Sequence, residues 1–140
     1  MDRTGAIQKT LSRNDSGETG GHQAGILIPK KEDILSFFPR LENKEKNPRF
    51  LITFTDSFSE KWSFSFIYYN NKFFGGTRNE YRLTGMTRFL KAYNLKAGDE
   101  LTLKRDKNGF YSIEISKFKA ASTTSRGVLK LGNSWKVIRI

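Results

Sequence analysis

Apolar and polar residues alternate along much of this chain. The alternation is cleanest over Lys61–Tyr69, where Trp62, Phe64, Phe66 and Tyr68 fall on one face and Lys61, Ser63 and Ser65 on the other. A period of two sends successive side chains to opposite faces of an extended backbone, so this segment predicts a half-buried strand. Shorter versions of the pattern occur at 50–55, 100–105 and 110–115. The last two flank Asp106-Lys107-Asn108-Gly109, whose Asn-Gly step suits a hairpin turn. Residues 128–131 and 135–140 form a further pair around Gly132-Asn133-Ser134, and 26–28 reads as a strand stopped by Pro29.

Two segments break this rhythm. At 32–38, Ile34, Leu35, Phe37 and Phe38 recur at three- and four-residue spacing before Pro39, and at 87–93 Phe89, Leu90 and Tyr93 do the same. Both predict short helices that lie as lids on a sheet. Many short strands without regular strand-helix alternation of adequate length favour a mainly β, closed or partly open barrel over a doubly wound sheet.

Composition narrows the chemistry. The 140 residues, 36% hydrophobic and 14% aromatic, suffice for one core, and no shift in composition marks a second domain. Residues 1–140 are therefore expected to form one unit, closing in a C-terminal β-hairpin at 126–140. The 25 Lys and Arg against 14 Asp and Glu, a net charge of +11, fit either a polyanionic partner or a basic solvated surface. Absence of cysteine removes disulfides, thiolate zinc sites and thiol nucleophiles, and a single histidine removes a histidine-built metal site. Without a long apolar run or an apolar leader, neither membrane spanning nor secretion is expected, and a prokaryotic cytoplasm is the expected setting.

The most informative segment is Asn70-Asn71-Lys72-Phe73-Phe74-Gly75-Gly76-Thr77-Arg78-Asn79-Glu80-Tyr81-Arg82. Arg can donate twice to guanine, Asn can give and take at adenine, and Glu can accept from the cytosine amino group. One loop thus holds much of the vocabulary of major-groove reading. Arg78 suits bidentate contact with guanine or a phosphate clamp, and Arg82 has the same two options. Glu80 either accepts from cytosine or orients a neighbouring arginine, because a carboxylate facing phosphates is otherwise repelled. Asn79 joins the base-reading set, while Lys72, Thr77 and Tyr81 are assigned to the DNA backbone. Phe73 and Phe74 are expected to anchor the loop in the core.

A second polar stretch lies upstream. His22 and Gln23 can hydrogen-bond a base or phosphate, or serve a buried structural role. Asn14 and Asp15 are either turn formers or DNA contacts, with Asn14 kept among the backbone contacts beside Lys9 and Arg13. Gly17, Gly20 and Gly21 allow the chain to bend and approach a ligand closely.

These motifs carry a family resemblance. Leu11-Ser12-Arg13-Asn14-Asp15-Ser16-Gly17-Glu18-Thr19-Gly20-Gly21-His22-Gln23-Ala24-Gly25-Ile26-Leu27-Ile28-Pro29 resembles the first recognition arm of the EcoRII restriction endonuclease effector domain, and residues 67–82 resemble its second arm. Leu83-Thr84-Gly85-Met86-Thr87-Arg88-Phe89-Leu90 and Leu95-Lys96-Ala97-Gly98-Asp99-Glu100 are similar to the helix and Gly-Asp turn of plant B3 DNA-binding domains. The resemblance covers about residues 8–118 and implies that this core is a B3-like, seven-stranded open pseudobarrel with two short helices, whose arms enter the major groove of duplex DNA. It implies an effector or targeting module, attached to a separate nuclease domain and reading a CCWGG-type site, and the chain is expected to act as a monomer. On the matching positions, His22, Gln23, Arg78, Glu80 and Arg82 would read bases. Gly76 and Tyr81 stand where EcoRII carries lysines, so the target itself does not transfer. Residues 128–140 are similar to the Gly-Asn-Ser segment of AbrB-like barrels, and equally read as a closing hairpin.

Other classes fit less well. A metal-dependent nuclease needs carboxylates and a lysine around a cation, and the nearest spacing, Glu42-Asn43-Lys44, lies in a charged run before Pro48 that reads as a solvated loop. No Gly-Lys-Ser phosphate loop occurs. No catalytic residue, metal, cofactor or small-molecule substrate is therefore expected. A small nuclease and a non-specific nucleic-acid binder remain the alternatives to a sequence-specific reader.

Overall fold

In the computed structural model, which describes residues 5–17, 25–118 and 135–138, the alternating segments pair into one strongly curved sheet. Its strands are β1 (Ala6–Thr10), β2 (Ile26–Ile28), β3 (Arg49–Thr55), β4 (Lys61–Tyr69), β5 (Glu80–Thr84), β6 (Glu100–Arg105), β7 (Tyr111–Ser116) and β8 (Trp135–Val137). Around the sheet the order is β2-β5-β4-β3-β7-β6-β1-β8. All neighbours are antiparallel except β3 and β7, which run parallel over a two-residue contact. The two edges approach each other: the Trp135 indole on β8 donates to the Leu27 carbonyl on β2 at 2.9 Å. The result is the expected open pseudobarrel, with eight strands among the described residues in place of the expected seven.

Three short helices accompany the sheet: α1 (Arg13–Ser16), α2 (Glu32–Leu35) and α3 (Thr87–Ala92). The last two are the expected lids, both shorter than the spacing suggests. After Leu35 the chain tightens into single turns, with Phe37 N–H bonded to the Ile34 carbonyl and Phe38 N–H to that of Leu35. Those turns deliver Phe37 and Phe38 to the interior, where Phe38 stacks on Phe66 at 4.3 Å. From α3, Phe89 meets Trp62 and Phe64 edge-on.

The core is the inward face of the sheet under these lids. Phe37, Phe54, Phe64, Phe66 and Phe89 are all essentially inaccessible, and each such ring contributes roughly 1.5–3 kcal/mol on burial. The hairpin over 106–110 forms as expected: Asp106 N–H bonds to the Phe110 carbonyl, and Gly109 takes φ 85°, which a side chain would oppose. Of the expected C-terminal hairpin, Trp135–Val137 forms β8 against β1, and residues 126–134 lie outside the described residues. β1, β5 and α1 were not among the expected elements.

Candidate nucleic-acid interface

The two polar stretches leave the barrel at opposite ends of one strand pair. β2 and β5 are antiparallel, with Ile26 opposite Leu83 and Ile28 opposite Tyr81. The first stretch therefore enters β2 beside Thr84, at the far end of β5, whereas the second enters β5 at Glu80. Four residue steps of strand separate the two points, about 13 Å.

The root of the second arm is built on Asn70, which is wholly buried at the end of β4. Its Oδ1 accepts from Asn47 N–H at 2.8 Å and its Nδ2 donates to the Glu45 carbonyl at 3.0 Å. Beyond it a single 3₁₀ turn, Asn71–Phe74, reverses at Gly75, which adopts φ 90°. Lys72 N–H then bonds to the Arg78 carbonyl at 3.0 Å and closes the loop. Phe73 and Phe74 remain 54% and 43% exposed, which corrects the expectation that they anchor the loop in the core. Asn70 does that work, and the short turn leaves both rings near solvent.

The pleat of β5 then sorts its side chains. Tyr81 and Leu83 face inward, and Glu80 and Arg82 face outward in line with Arg78. Glu80 Oε2 alone accepts three hydrogen bonds: from Arg78 Nε and Nη2 at 3.0 and 2.8 Å, and from Arg82 Nε at 2.8 Å. Burial opposes ionisation of Glu80, but the bonds from Arg82 and Arg78 outweigh it and hold its pKa below the usual carboxylate value. Arg78 also lies over the Tyr69 ring at 3.8 Å. From the other side of the cluster, Arg82 Nη1 donates to the Gly25 carbonyl at 3.0 Å, tying the second arm to the end of the first. Gly25 itself sits at φ 94°, and a Cβ there would lie 2.7 Å from the Leu83 carbonyl oxygen and from Thr84 Cγ2.

The remaining expected positions divide. Asn79 Oδ1 accepts from the Tyr68 hydroxyl at 2.5 Å, which orients the amide and leaves its second oxygen lone pair and Nδ2 for two-point reading of adenine. Lys72 and Thr77 are exposed on the arm. Tyr81 stacks inward on Tyr68 at 4.2 Å and on Phe66 at 5.5 Å, so its role is packing, in place of the expected backbone contact. On the first arm, Ser12 and Asp15 form a reciprocal cap: Ser12 N–H bonds to Asp15 Oδ2 at 2.9 Å and Asp15 N–H to Ser12 Oγ at 3.0 Å. Lys9 is 6% exposed with its ammonium 3.3 Å from Asp15. A buried, paired ammonium is not offered to a phosphate, which corrects that expectation for Lys9. Arg13 and Asn14 are exposed on α1, and His22 and Gln23 lie outside the described residues.

Sequence reasoning missed Asn70, Tyr69, Lys30 and Gly25. Lys30 Nζ donates to the Asn79 carbonyl at 3.1 Å across a 49-residue separation that no local pattern reveals. Among the described residues, no group of His, Asp and Glu side chains is placed to hold a metal ion, and no helix is long and apolar enough to cross a membrane.

Comparison with known proteins gives the family and the fold. The family model described as restriction endonuclease EcoRII, N-terminal, matches residues 2–111. The chain belongs to the EcoRII N-terminal family. It is 36% identical over 128 residues to the type II restriction enzyme EcoRII of Escherichia coli, covering 87% of this chain and 31% of that enzyme. It is 27% identical over 118 residues to auxin response factor 16 of Arabidopsis thaliana, covering 84% of this chain and 16% of that protein. The chain thus spans about a third or less of these relatives, and in the EcoRII family it corresponds to the N-terminal effector domain, not the nuclease domain.

Solved structures give the same fold. An Arabidopsis FUS3-DNA complex superposes with TM-score 0.59 at 24% identity, covering 80% of this chain and 96% of the other. The B3 domain of the UbaLAI restriction endonuclease with cognate DNA superposes with TM-score 0.59 at 18% identity, covering 98% and 87%. The B3-like pseudobarrel read from the motifs is the fold of this chain.

Proposed function

We propose that this EcoRII-family effector domain binds double-stranded DNA sequence-specifically, with its two arms entering the major groove from opposite ends of β5. The observation that carries the reading is the Arg78-Glu80-Arg82 cluster and its bond to Gly25, which joins the arms across an outward-facing, cation-rich surface. The spacing of about 13 Å between the arm roots matches a major groove about 12 Å wide. Glu80 holds both guanidinium planes in fixed orientation, so that Arg78 and Arg82 meet guanine edges preorganised.

His22 and Gln23 supply the first arm's share of base contacts. Arg78, Asn79, Glu80 and Arg82 supply the second's. Arg13, Asn14, Lys72 and Thr77 contact the backbone. The chain acts as a monomeric recognition or effector module of a type II restriction endonuclease in a prokaryotic cytoplasm, with cleavage carried out by a separate nuclease domain.

Selection of bound duplexes from a randomised pool tests this directly. A short motif should be enriched, with duplexes containing CCWGG assayed alongside. Failure to enrich any motif, together with equal affinity for unrelated duplexes and single strands, would replace the reading with non-specific binding.

A further inference from the structure

The charged run before β3 reads from sequence as a solvated loop, and its side chains are indeed exposed from Glu42 to Lys46. Its backbone, however, is not independent of the second arm. Through Asn70 the loop is fastened at two points, Asn47 N–H and the Glu45 carbonyl, to the residue from which the arm springs. A third bond, Tyr68 N–H to the Pro48 carbonyl at 3.0 Å, fixes the loop to the last turn of β4 before the arm. Asn47 takes φ 53° to allow this path. A fully buried amide with both ends used is an unusual expense for a mere spacer, because each buried polar group must find its partner.

The loop then runs directly onto the outward face that carries the arginine cluster. Arg49 Nε donates to the Asn47 carbonyl at 3.3 Å. In the sheet register Arg49 lies opposite Ile67, Ile67 opposite Arg82, and Arg82 opposite Leu27, all on one row. Two strand spacings separate Arg49 from Arg82, about 10 Å. Lys44 and Lys46 form no ion pair among the described residues.

We propose that Lys44, Lys46 and Arg49 form a third DNA-contacting element that engages phosphates flanking the bases read by the second arm. Glu42 and Glu45 share the loop and make its local charge nearly balanced. Attachment to the arm, not charge density, is therefore what brings these cations to DNA. A phosphate contact made this way is independent of sequence and adds to the salt-dependent part of affinity. The inference rests on the DNA-binding reading given above.

The test measures affinity for a labelled duplex recovered by selection over a series of salt concentrations. The double variant Lys44→Ala/Lys46→Ala should flatten the log-log salt slope by about 1.8, and adding Arg49→Ala should bring the change to about 2.7, at about 0.9 for each phosphate contact. Site preference should not change. Lys107→Ala, on the turn joining β6 and β7, the fourth and third strands around from β5, should leave the slope as it is. If the wild-type chain binds the duplex but the double variant keeps the wild-type slope, the loop has no such role. If the double variant alters which sequences are preferred, the loop is not a phosphate contact. Failure of the wild-type chain to bind duplex at all would instead remove the DNA-binding reading.

Discussion

Two carboxylates at opposite ends of β4 each gather several donors, yet they serve different ends. Asp56, just before the strand, is 7% exposed. Its Oδ1 accepts from Phe58 and Glu60 N–H groups at 2.8 and 2.9 Å, and its Oδ2 from the Trp62 indole at 2.9 Å and from the Tyr93 hydroxyl. All four donors are neutral, and they knit the β3-β4 turn to the end of α3. Glu80, across from Tyr69 at the strand's other end, takes its bonds from two guanidinium groups on a partly open face. Neutral donors locked inward make a structural joint, while cationic donors with exposed planes make a surface that can hand its charges to a ligand. The type of donor and its access to solvent distinguish the two clusters, not the number of bonds.

The largest effect should come from the buried joint. Asp56→Ala leaves Trp62, Tyr93 and two backbone N–H groups without their acceptor, and should cost about 3 kcal/mol of stability, or about 10 °C in Tm. Calorimetry checks this, and an unchanged Tm would break the contrast. Acid titration sharpens it. Burial favours the neutral acid, but the bonds from Tyr93, Trp62, Glu60 and Phe58 prevail and lower the Asp56 pKa from the usual 3.8 to about 2. Because the folded-state value is the lower one, this contribution is present above about pH 4 and is lost as pH falls toward 2. Asp56→Asn should remove that part of the acid sensitivity, measured as the dependence of unfolding free energy on pH.

At the other end of β4 the expected loss is in recognition. Arg78→Ala should reduce discrimination between preferred and unrelated duplexes by roughly 1–3 kcal/mol, with stability altered by less than about 0.5 kcal/mol. Competition binding and a thermal melt separate the two quantities, and an unaltered site preference would take base reading away from Arg78. Glu80→Gln should have the smallest effect, about 1 kcal/mol of lost discrimination, because an amide holds the guanidinium groups without charge assistance. Non-specific affinity should hold steady or rise in that variant, since a negative charge facing phosphates has gone. A parallel fall in specific and non-specific affinity would show that Glu80 does not orient the arginines.

How far the fold was legible depended on whether a pattern was local. The Trp62-Phe64-Phe66-Tyr68 stripe and the Asn108-Gly109 turn announced β4 and the β6-β7 hairpin, because period and turn chemistry act within a few residues. Alternation is present in β5 as well, with Tyr81 and Leu83 inward, but it spans only five residues and its outward positions, Glu80 and Arg82, have the side-chain chemistry of a recognition loop. β1 was disguised by Lys9, a charged residue at a buried position that only its pairing with Asp15 makes tolerable. Ile67 breaks the half-buried pattern of β4 in the opposite sense, being 3% exposed on the outward face between Arg49 and Arg82.

The amino-acid order alone determined the mainly β class, the lids over the barrel, the basic character and the residue types of the second arm, since these follow from periodicity, turn preference and side-chain chemistry. Only the tertiary structure decided which of those side chains meet. Arg82 reaches Gly25 across 57 residues, Lys30 reaches Asn79 across 49, and Asn70 binds a loop more than twenty residues upstream. Contacts so distant in sequence are set by strand order and register, which place a residue's neighbours by the closing of the sheet and not by any motif around it.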